Sequence, residues 1–282
     1  VLVTPALVWL FVFTIYPSLN TIRLAFTDAR PLGGDINFVG GANFARLAED
    51  PQLGMALVNS LVFMAICLPL LTFGPLLLAI LVEKQLRGIA FFRVIYYTPV
   101  IASAVVVGLI WSWLLDDRGI FNNILIAMKV VSAPLPFLTE RWLIILSAVA
   151  LTVWKGLGYY MIIYLAALGN IGKDLHEAAA MDGASPFRRF WAVTVPGVRG
   201  TMTLIALLIC VSALRTFSEI YVLTGGTGGA GGEAMTLVML IKQYTSGFYG
   251  NLGYGSVLSI VLFLVTLVPM LLIAYVNRRA EK

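Results

Sequence analysis

Long apolar stretches alternate with short polar segments along the whole chain. An α-helix needs about 20 mostly apolar residues to cross the hydrocarbon core of a bilayer. Six stretches satisfy that length, at residues 2–26, 57–82, 94–115, 142–168, 201–223 and 254–276. The pattern predicts an all-α membrane protein with six transmembrane helices, forming a single domain over residues 1–282. Prolines inside several stretches are compatible with this, because neighbouring helices can satisfy the carbonyls that a proline frees.

The composition excludes most classes of soluble protein. Hydrophobic residues make up 60% of the chain and charged residues 12%, whereas a soluble domain has about 25% charged residues. So few charges cannot cover a water-facing surface, which makes a soluble enzyme, a disordered chain or a nucleic-acid-binding domain a poor fit. Both cysteines, Cys67 and Cys210, lie in apolar stretches and indicate packing rather than a disulfide or a metal site.

The charged residues are divided unevenly between the two sets of loops. The set on the side of the C-terminus has ten basic and five acidic residues, and the other set has six basic and eight acidic residues. The positive-inside rule assigns the basic set to the cytoplasm. Both termini are therefore predicted to be cytoplasmic, as an even number of spans requires. The first stretch has no basic segment before it and no small-residue cleavage site, so we expect it to remain as a span.

The longest connection on the basic side, residues 169–200, has helix signals of its own. Asp174 and Glu177 are spaced as in a capping box with Asp174 as the N-cap, and strong helix formers follow. Gly183 suits a C′ position with positive φ, and Ser185-Pro186 can start a new helix at once. The connection is therefore predicted to form two short helices that meet at Gly183.

The second of these helices combines aromatic and basic side chains, namely Phe187, Arg188, Arg189, Phe190 and Trp191. Such an element could dock into a groove of a partner protein. It could equally lie on anionic lipid as an interfacial helix. Physical chemistry alone leaves both interpretations open.

A fixed pattern in this connection resembles the EAA loop of ATP-binding-cassette importer permeases. That pattern is Glu-Ala-Ala, three residues, Gly, nine residues, then Ile-x-Leu-Pro. The chain matches it at Glu177, Ala178, Ala179, Gly183 and Pro196, with valines in place of Ile and Leu. Asp182 and Ala184 on either side of the glycine resemble the members that import carbohydrates.

The resemblance extends along nearly the whole chain. Tyr16-Pro17 in the first stretch, Asn43-Phe44 in the first outer loop and Thr224-Gly225-Gly226 after the fifth stretch are all similar to this family. One departure is visible, because the family usually has Gly-Gly-Pro after that threonine. Here the glycine-rich run continues to Gly232.

The resemblance implies a permease with a cytoplasmic coupling helix pair, in the bacterial cytoplasmic membrane. Its implied partners are a homologous sister permease, two nucleotide-binding ATPase subunits, an extracytoplasmic substrate-binding protein and membrane lipid, with no nucleic acid. The implied contacts to the ATPase are Glu177, Ala178, Ala179, Asp182, Gly183, Phe187 and Pro196. ATP and Mg²⁺ are expected on the ATPase subunits, because this chain has no phosphate-binding P-loop pattern. No cofactor is expected on the chain itself.

Three ionisable residues lie well inside the predicted spans: Lys155, Arg215 and Glu219. A charge at that depth is costly and is a functional candidate by default. Arg215 and Glu219 are four residues apart, so they would share one helix face and could pair. In the structural interpretation, that pair neutralises itself and Lys155 binds carbonyls of a neighbouring helix.

The functional interpretation places these residues along a polar path. By resemblance, the substrate site of related permeases uses the middle of the third, fourth and fifth spans. This implies the pathway candidates Ser103, Lys155, Tyr159, Arg215 and Glu219. Gly156 and Gly158 are expected to leave room near Lys155, where Tyr159 could stack on a sugar face.

The sequence thus favours a permease subunit of a binding-protein-dependent importer for a sugar or related polyol. It predicts no catalytic residue and no metal site, and the lone histidine, His176, has no nucleophile close to it in sequence. Because Lys155 and Arg215 also suit an anion, an importer of a glycerophosphodiester or glycerol phosphate is the alternative. An ion-coupled secondary transporter using Glu219 and a membrane scaffold without a path are further rivals.

Overall fold

Helices form nearly all of the chain in a computed structural model, which describes residues 3–83, 88–248 and 250–280. The helices are α1 Thr4–Leu24, α2 Pro51–Glu83, α3 Ile89–Ile101, α4 Ala104–Leu115, α5 Ile120–Ala127, α6 Arg141–Leu168, α7 Lys173–Met181, α8 Pro186–Gly197, α9 Arg199–Leu214, α10 Ser218–Leu223, α11 Leu237–Thr245 and α12 Leu252–Ala280. Short single turns add Ala42–Ala45, Arg46–Ala48 and Ala230–Gly232. Within the described ranges, the only extended pairing is an isolated bridge between Thr27 and Phe38. Lys84, Arg87, Glu281 and Lys282, which contribute to the charge asymmetry, lie outside the described residues.

Among the described residues, four helices are long and apolar enough to cross a membrane without interruption: α1, α2, α6 and α12. In two further places, two consecutive helices are long and apolar enough to cross a membrane only when they are taken together. Phe91–Ile101 with Ala104–Ala127 is bent by 99°, and α8 with α9 is bent by 73°. The described residues therefore contain up to six candidate spans, if each bent pair is counted as one span. The all-α membrane fold predicted from the sequence is confirmed, although two of its spans are not straight.

The core lies where α2 packs along α6 and α9. Fully buried side chains from all three helices meet there, including Cys67 of α2, Ile144 of α6 and Cys210 of α9. Both thiols are free, in agreement with a packing role. The Tyr164 hydroxyl of α6 donates to the Thr72 carbonyl of α2 at 2.9 Å, so the core also has a polar cross-link between helices.

Helix α1 stands away from this core. None of its most apolar window is buried, and large side chains such as Trp9 and Phe13 are more than 60% exposed. Its second half, Tyr16–Leu24, contacts α12. An apolar helix exposed on all sides is stable only in a non-aqueous surrounding, which lipid or another membrane chain can provide.

Two wide turns precede prolines at corresponding places in α1 and α8. Residues Phe11–Ile15 and Phe190–Thr194 are π-helical, and a proline follows each segment after one residue, at Pro17 and Pro196. Proline has no N–H, and its ring clashes with the carbonyl four residues earlier. A wider turn relieves that clash and lets the helix continue through the proline.

The third span is interrupted at Ala102 and Ser103, which we name the first break. The predicted third span, 94–115, is therefore not one continuous helix. Ala102 is extended, with φ −72° and ψ 139°. Pro99 weakens the preceding turn, because it removes one helical hydrogen bond. Lys155 of α6 donates from Nζ to the Ala102 carbonyl at 3.3 Å, so the interrupted backbone keeps a partner inside the membrane.

The fifth span is interrupted at residues 215–217, which we name the second break. Helix α9 ends at Leu214 and α10 begins at Ser218. Arg215 and Glu219 therefore do not share a continuous helix, and the expected pairing on one helix face is wrong. In the described part of the chain no ion pair joins them. The break belongs to the tertiary structure, because its own segment contains neither glycine nor proline.

Candidate functional site

The connection between the fourth and fifth spans folds into a helical corner, as predicted. Helix α7 ends at Met181, and Gly183 has φ +74°. The Gly183 N–H donates to the Ala180 carbonyl, and the Ala184 N–H donates to the Ala179 carbonyl, both at 3.0 Å. These two bonds define a Schellman motif, which needs a left-handed residue at the position of Gly183. We name α7, this turn and α8 the coupling element.

The start of α7 differs from the prediction. The N-cap is Gly172, with ψ 133°, and no side chain caps the helix. The predicted capping box of Asp174 and Glu177 is therefore wrong, because the chain already turns helical at Lys173. Asp174 lies in the first turn instead, where its charge still favours the helix dipole.

The start of α8 agrees with the prediction, but its length does not. Ser185 is the N-cap, and its Oγ accepts from the Arg188 N–H at 3.3 Å. The helix does not stop after a short run, because the π-helical turn carries it through Pro196 to Gly197. At Val198, with φ −100° and ψ 9°, it bends directly into α9. The coupling element is thus mechanically continuous with the fifth span.

The coupling element presents exposed apolar side chains together with most of the residues that match the EAA pattern. The exposed members of the predicted set are Glu177, Ala178, Asp182, Gly183, Phe187 and Pro196, and Ala179 is partly buried. Met181 is 90% exposed and Phe187 is 75% exposed. Phe190 turns the other way and packs against the core. Phe190 therefore anchors the element to the core, whereas Phe187 faces away from it.

Three of the five pathway candidates lie near the first break. Lys155 is half-buried and bonded to the Ala102 carbonyl, and Ser103 beside it is exposed. Tyr159 is one turn further along α6 and is 46% exposed. A cation, a hydroxyl and an aromatic ring thus lie close together along one side of a broken span. The structural role foreseen for Lys155, binding a carbonyl of a neighbouring helix, is also present.

The two glycines next to Lys155 do not leave room, contrary to the expectation. A Cβ on Gly156 would lie 2.8 Å from the Leu71 Cδ2. A Cβ on Gly158 would fall on the Tyr96 carbonyl. The glycines instead allow α3 and α2 to pack directly against α6, and this close packing holds the first break in place.

Arg215 and Glu219 lie at the second break, apart from that group. Arg215 is exposed and Glu219 is half-buried. The Thr216 hydroxyl donates to the Glu219 Oε2 at 3.1 Å. No hydrogen bond or ion pair within the described ranges joins either residue to Lys155.

Sequence reasoning missed a buried polar cluster at the end of the bundle where α6 begins. Asn59 of α2 is fully buried and accepts from the Arg141 Nε at 2.9 Å. Its amide donates to the Glu233 and Met235 carbonyls at 2.8 and 2.7 Å. The signal was present, because Asn59-Ser60 is a polar pair inside an apolar stretch.

This cluster continues to the second break. The Leu237 N–H donates to the Ser60 Oγ at 3.0 Å. The buried Thr236 hydroxyl donates to the Thr216 carbonyl at 2.9 Å. Residues 233–237, which lead into α11, are thus bonded to both α2 and the interrupted fifth span.

The glycine-rich run after the fifth span forms one wall of an open cavity of about 720 Å³ at the same end of the bundle. Six of its glycines have positive φ, at Gly225, Gly226, Gly228, Gly229, Gly231 and Gly232. Gln52, Thr139, Thr227 and Gln243 contribute polar groups to the lining. The searched, described residues contain no cluster of His, Cys, Asp or Glu suited to a metal ion.

A family model described as the binding-protein-dependent transport system inner membrane component matches residues 51–282. The chain belongs to this family. It is a membrane component of a transport system and not an enzyme.

Among its relatives is the lactose transport system permease protein LacF of Rhizobium radiobacter, 32% identical over 99% of this chain and 93% of the relative. The trehalose/maltose transport system permease protein MalF of Thermococcus litoralis is 29% identical over 94% of this chain and 88% of the relative. A solved bacterial importer of the acidic polysaccharide alginate has a chain with a TM-score of 0.77 and 22% identity, covering 99% of this chain and 94% of that one. That likeness shows the fold of an importer permease.

Proposed function

We propose that the whole chain is one permease domain of an ATP-driven importer for a sugar or related polyol. It pairs with a homologous sister permease and receives its substrate from an extracytoplasmic binding protein. The lactose and trehalose/maltose permeases among the relatives are named for carbohydrates, which supports this substrate class. Dependence on a binding protein is part of the family description.

The observation that carries the proposal is the coupling element. Its Met181 and Phe187 side chains are 90% and 75% exposed, and α8 continues through a bend into α9. A partner that moves this element would therefore move the fifth span. The proposed contacts are Glu177, Ala178, Ala179, Asp182, Gly183, Phe187 and Pro196.

The orientation follows from the same element. The coupling element lies on the basic side of the sequence, so we place it and both termini in the cytoplasm. Two ATPase subunits hold ATP and Mg²⁺ there. An apolar, partly aromatic corner fits a groove on such a subunit better than it fits water.

The proposed substrate path runs along the two breaks. Ser103, Lys155 and Tyr159 contact substrate near the first break, and Arg215 and Glu219 lie along the path at the second. Interrupted helices in membranes are tolerated where they are packed in protein or line a polar cavity. A half-buried lysine and a half-exposed tyrosine offer hydrogen bonds and a ring face to a sugar.

The decisive test uses the reconstituted complex with its ATPase subunits and binding protein. Phe187→Ala removes an exposed ring without opening the core, and we expect ATPase association to weaken by about 30-fold, because an interface hot spot contributes about 2 kcal/mol or more. Gly183→Val places a β-branched residue at φ +74° and should uncouple ATP hydrolysis from uptake. Gly183→Asn is the matched control, because asparagine tolerates left-handed backbone. Full coupling in Gly183→Val and Phe187→Ala would contradict the proposal.

A second measurement separates the rival functions. Uptake should collapse when ATP is depleted and should persist when an uncoupler dissipates the ion gradient. The opposite result would indicate an ion-coupled transporter. A binding screen of the cognate binding protein against neutral sugars, polyols and glycerophosphodiesters would then decide the substrate class.

A further inference from the structure

A small polar cavity lies at the end of the bundle where α12 begins. Its volume is about 280 Å³. Its walls come from the loop after α1, the short turn before α2 and the connection from α11 to α12, with the lining residues Arg30, Arg46, Tyr244, Phe248, Gly250 and Asn251. None of the lining residues within the described ranges is acidic. The cavity therefore has two cations and no anion of its own.

Contacts on both sides of Arg30 fix the loop that carries it. The Leu252 N–H donates to the Ala29 carbonyl at 2.8 Å, which ties the loop to the start of α12. A Cβ on Gly250 would lie 2.6 Å from the Pro31 Cγ, so the two segments also touch after Arg30. The Arg30 backbone is thus in place before a partner arrives, and binding need not order this loop.

Aromatic rings hold the side chain of Arg46. Its guanidinium carbon lies 4.4 Å from the ring centroid of Tyr254 and 5.1 Å from that of Tyr244. The two rings meet edge to face at 4.8 Å. A stacked guanidinium has lost part of its rotamer freedom, while its five N–H donors remain at its edge. Such a fork matches the two oxygens of a carboxylate.

Acidic side chains of the same two segments are engaged elsewhere. Both Asp50 oxygens accept hydrogen bonds, one of them from the Tyr254 hydroxyl at 2.7 Å. Asp28 accepts from the side chain and the backbone of Asn37. Those bonds are the main reason that the pKa of Asp28 is lowered, and Arg30 adds the smallest contribution. Within the described ranges, neither lining arginine forms an ion pair.

Exposed apolar side chains border the two arginines. Phe248 lines the cavity and is 77% exposed, and Leu32, two residues after Arg30, is 69% exposed. Arginine and aromatic residues are enriched at the centres of protein interfaces, where the surrounding contacts exclude water. A free anion would fill the cavity and leave these apolar side chains uncovered. A protein surface that carries a carboxylate would cover them as well.

We propose that this cavity receives the carboxylate of an aspartate or glutamate on the extracytoplasmic binding protein. Arg30 and Arg46 hold its two oxygens, and Phe248 packs against the residues around it. The inference rests on the proposed function, which supplies the binding protein and places this end of the bundle outside the cytoplasm. It adds the residues that recognise the docked protein and the charge that they require.

The test measures the Kd of the purified binding protein for the complex reconstituted in lipid nanodiscs. Arg30→Gln is the central variant, because the Arg30 side chain is exposed and forms no hydrogen bond within the described ranges that folding would lose. We expect Kd to rise by about tenfold or more, equivalent to about 1.4 kcal/mol or more, because hydrogen bonds between charged groups are strong.

Two matched variants control for charge alone. Arg118→Gln removes an exposed arginine at the same end of the bundle but outside the cavity, and should leave Kd unchanged. Arg30→Lys keeps the charge and loses the planar fork, so we expect a Kd between those of the wild type and Arg30→Gln. An equal rise in Arg118→Gln and Arg30→Gln would overturn the proposal in favour of a general effect of net charge.

A double-mutant cycle identifies the carboxylate. Each surface aspartate or glutamate of the binding protein is replaced by its amide and combined with Arg30→Gln. We expect one acid whose replacement raises Kd by about tenfold in the wild-type complex and has little further effect in Arg30→Gln, because the contact is already lost. Fully additive effects for every acid would contradict a direct contact.

The remaining outcomes separate this inference from the proposed function. A wild-type complex that binds no binding protein contradicts both. A wild-type complex that binds it, with an unchanged Kd in Arg30→Gln, overturns the inference alone. Sulfate or phospholipid that is lost from Arg30→Gln while Kd stays unchanged would assign the cavity to a free anion or a lipid headgroup instead.

Discussion

At each of the two breaks, a backbone carbonyl freed from the helix accepts a hydrogen bond from a different kind of donor. Each interrupts a helix within an apolar stretch and leaves a carbonyl that needs a donor. At the first break the donor is the half-buried ammonium of Lys155, 3.3 Å from the Ala102 carbonyl and beside the exposed Ser103. At the second break it is the buried hydroxyl of Thr236, 2.9 Å from the Thr216 carbonyl.

The difference is that a ligand can reach the half-buried donor at the first break, whereas the donor at the second break is fully buried. The ammonium of Lys155 is only half-buried and lies next to the exposed Ser103, so a ligand can reach it. A fully buried threonine has no such freedom. We therefore expect substitution of Lys155 to affect transport and substitution of Thr236 to affect stability.

The largest effect is expected where α3 crosses α6 at the first break. Gly158→Ala would place a methyl group on the Tyr96 carbonyl, and backbone cannot move aside as a side chain can. Overpacking of this kind costs about 1–3 kcal/mol or more. The yield of folded protein and its thermal midpoint should fall sharply. Gly156→Ala is the control, because the close contacts of its new Cβ are with the flexible end of Leu71, and the Tyr160 ring lies at an ordinary contact distance of 3.5 Å. Equal loss in both variants would refute the backbone explanation.

Lys155→Met should have the next largest effect. It leaves the Ala102 carbonyl without its donor, a loss of about 1–3 kcal/mol for a buried group, and removes the candidate substrate contact. We expect uptake to fall by about tenfold or more, the equivalent of about 1.4 kcal/mol. Lys155→Arg keeps a cationic donor and should retain much of the activity. Wild-type uptake kinetics in the methionine variant would remove Lys155 from the path.

Thr236→Val tests the second break. The variant keeps the shape of the side chain and removes the donor to the Thr216 carbonyl, and we expect a loss of about 1 kcal/mol in unfolding free energy. Thermal unfolding can be followed with a thiol-reactive dye, because Cys67 and Cys210 are buried and free. Thr236→Ser keeps the hydroxyl and should unfold near the wild-type temperature. A change in substrate affinity without a change in stability would reverse the comparison.

The smallest effect is expected for the absent pair at the second break. If the helix ends before Arg215, then Arg215→Gln and Glu219→Gln should change stability independently. A double-mutant cycle should give a coupling of no more than about 0.5 kcal/mol, the limit for independent sites. A larger favourable coupling in the same thermal assay would restore the ion pair that the sequence spacing suggested.

Much of the coupling element could be predicted, because its signals are local. The Schellman turn needs a left-handed residue, which glycine supplies at Gly183, and the second helix needs a cap, which Ser185 supplies. The start of α7 could not be placed from spacing alone. Asp174 and Glu177 satisfy a capping pattern, yet the helix begins two residues earlier than that pattern predicts, with Gly172 as its N-cap.

The sequence by itself determined the spans, since helical hydrogen bonds are local and a bilayer accepts only apolar stretches of sufficient length. The tertiary structure decided where two of those spans are interrupted. Pro99 gave only a weak local signal for the first break, and residues 215–217 gave none. Both breaks depend on donors far along the chain, Lys155 for Ala102 and Thr236 for Thr216. A carbonyl can lose its helical hydrogen bond inside the membrane only where the folded structure supplies another donor. No local sequence pattern specifies which distant residue that donor is.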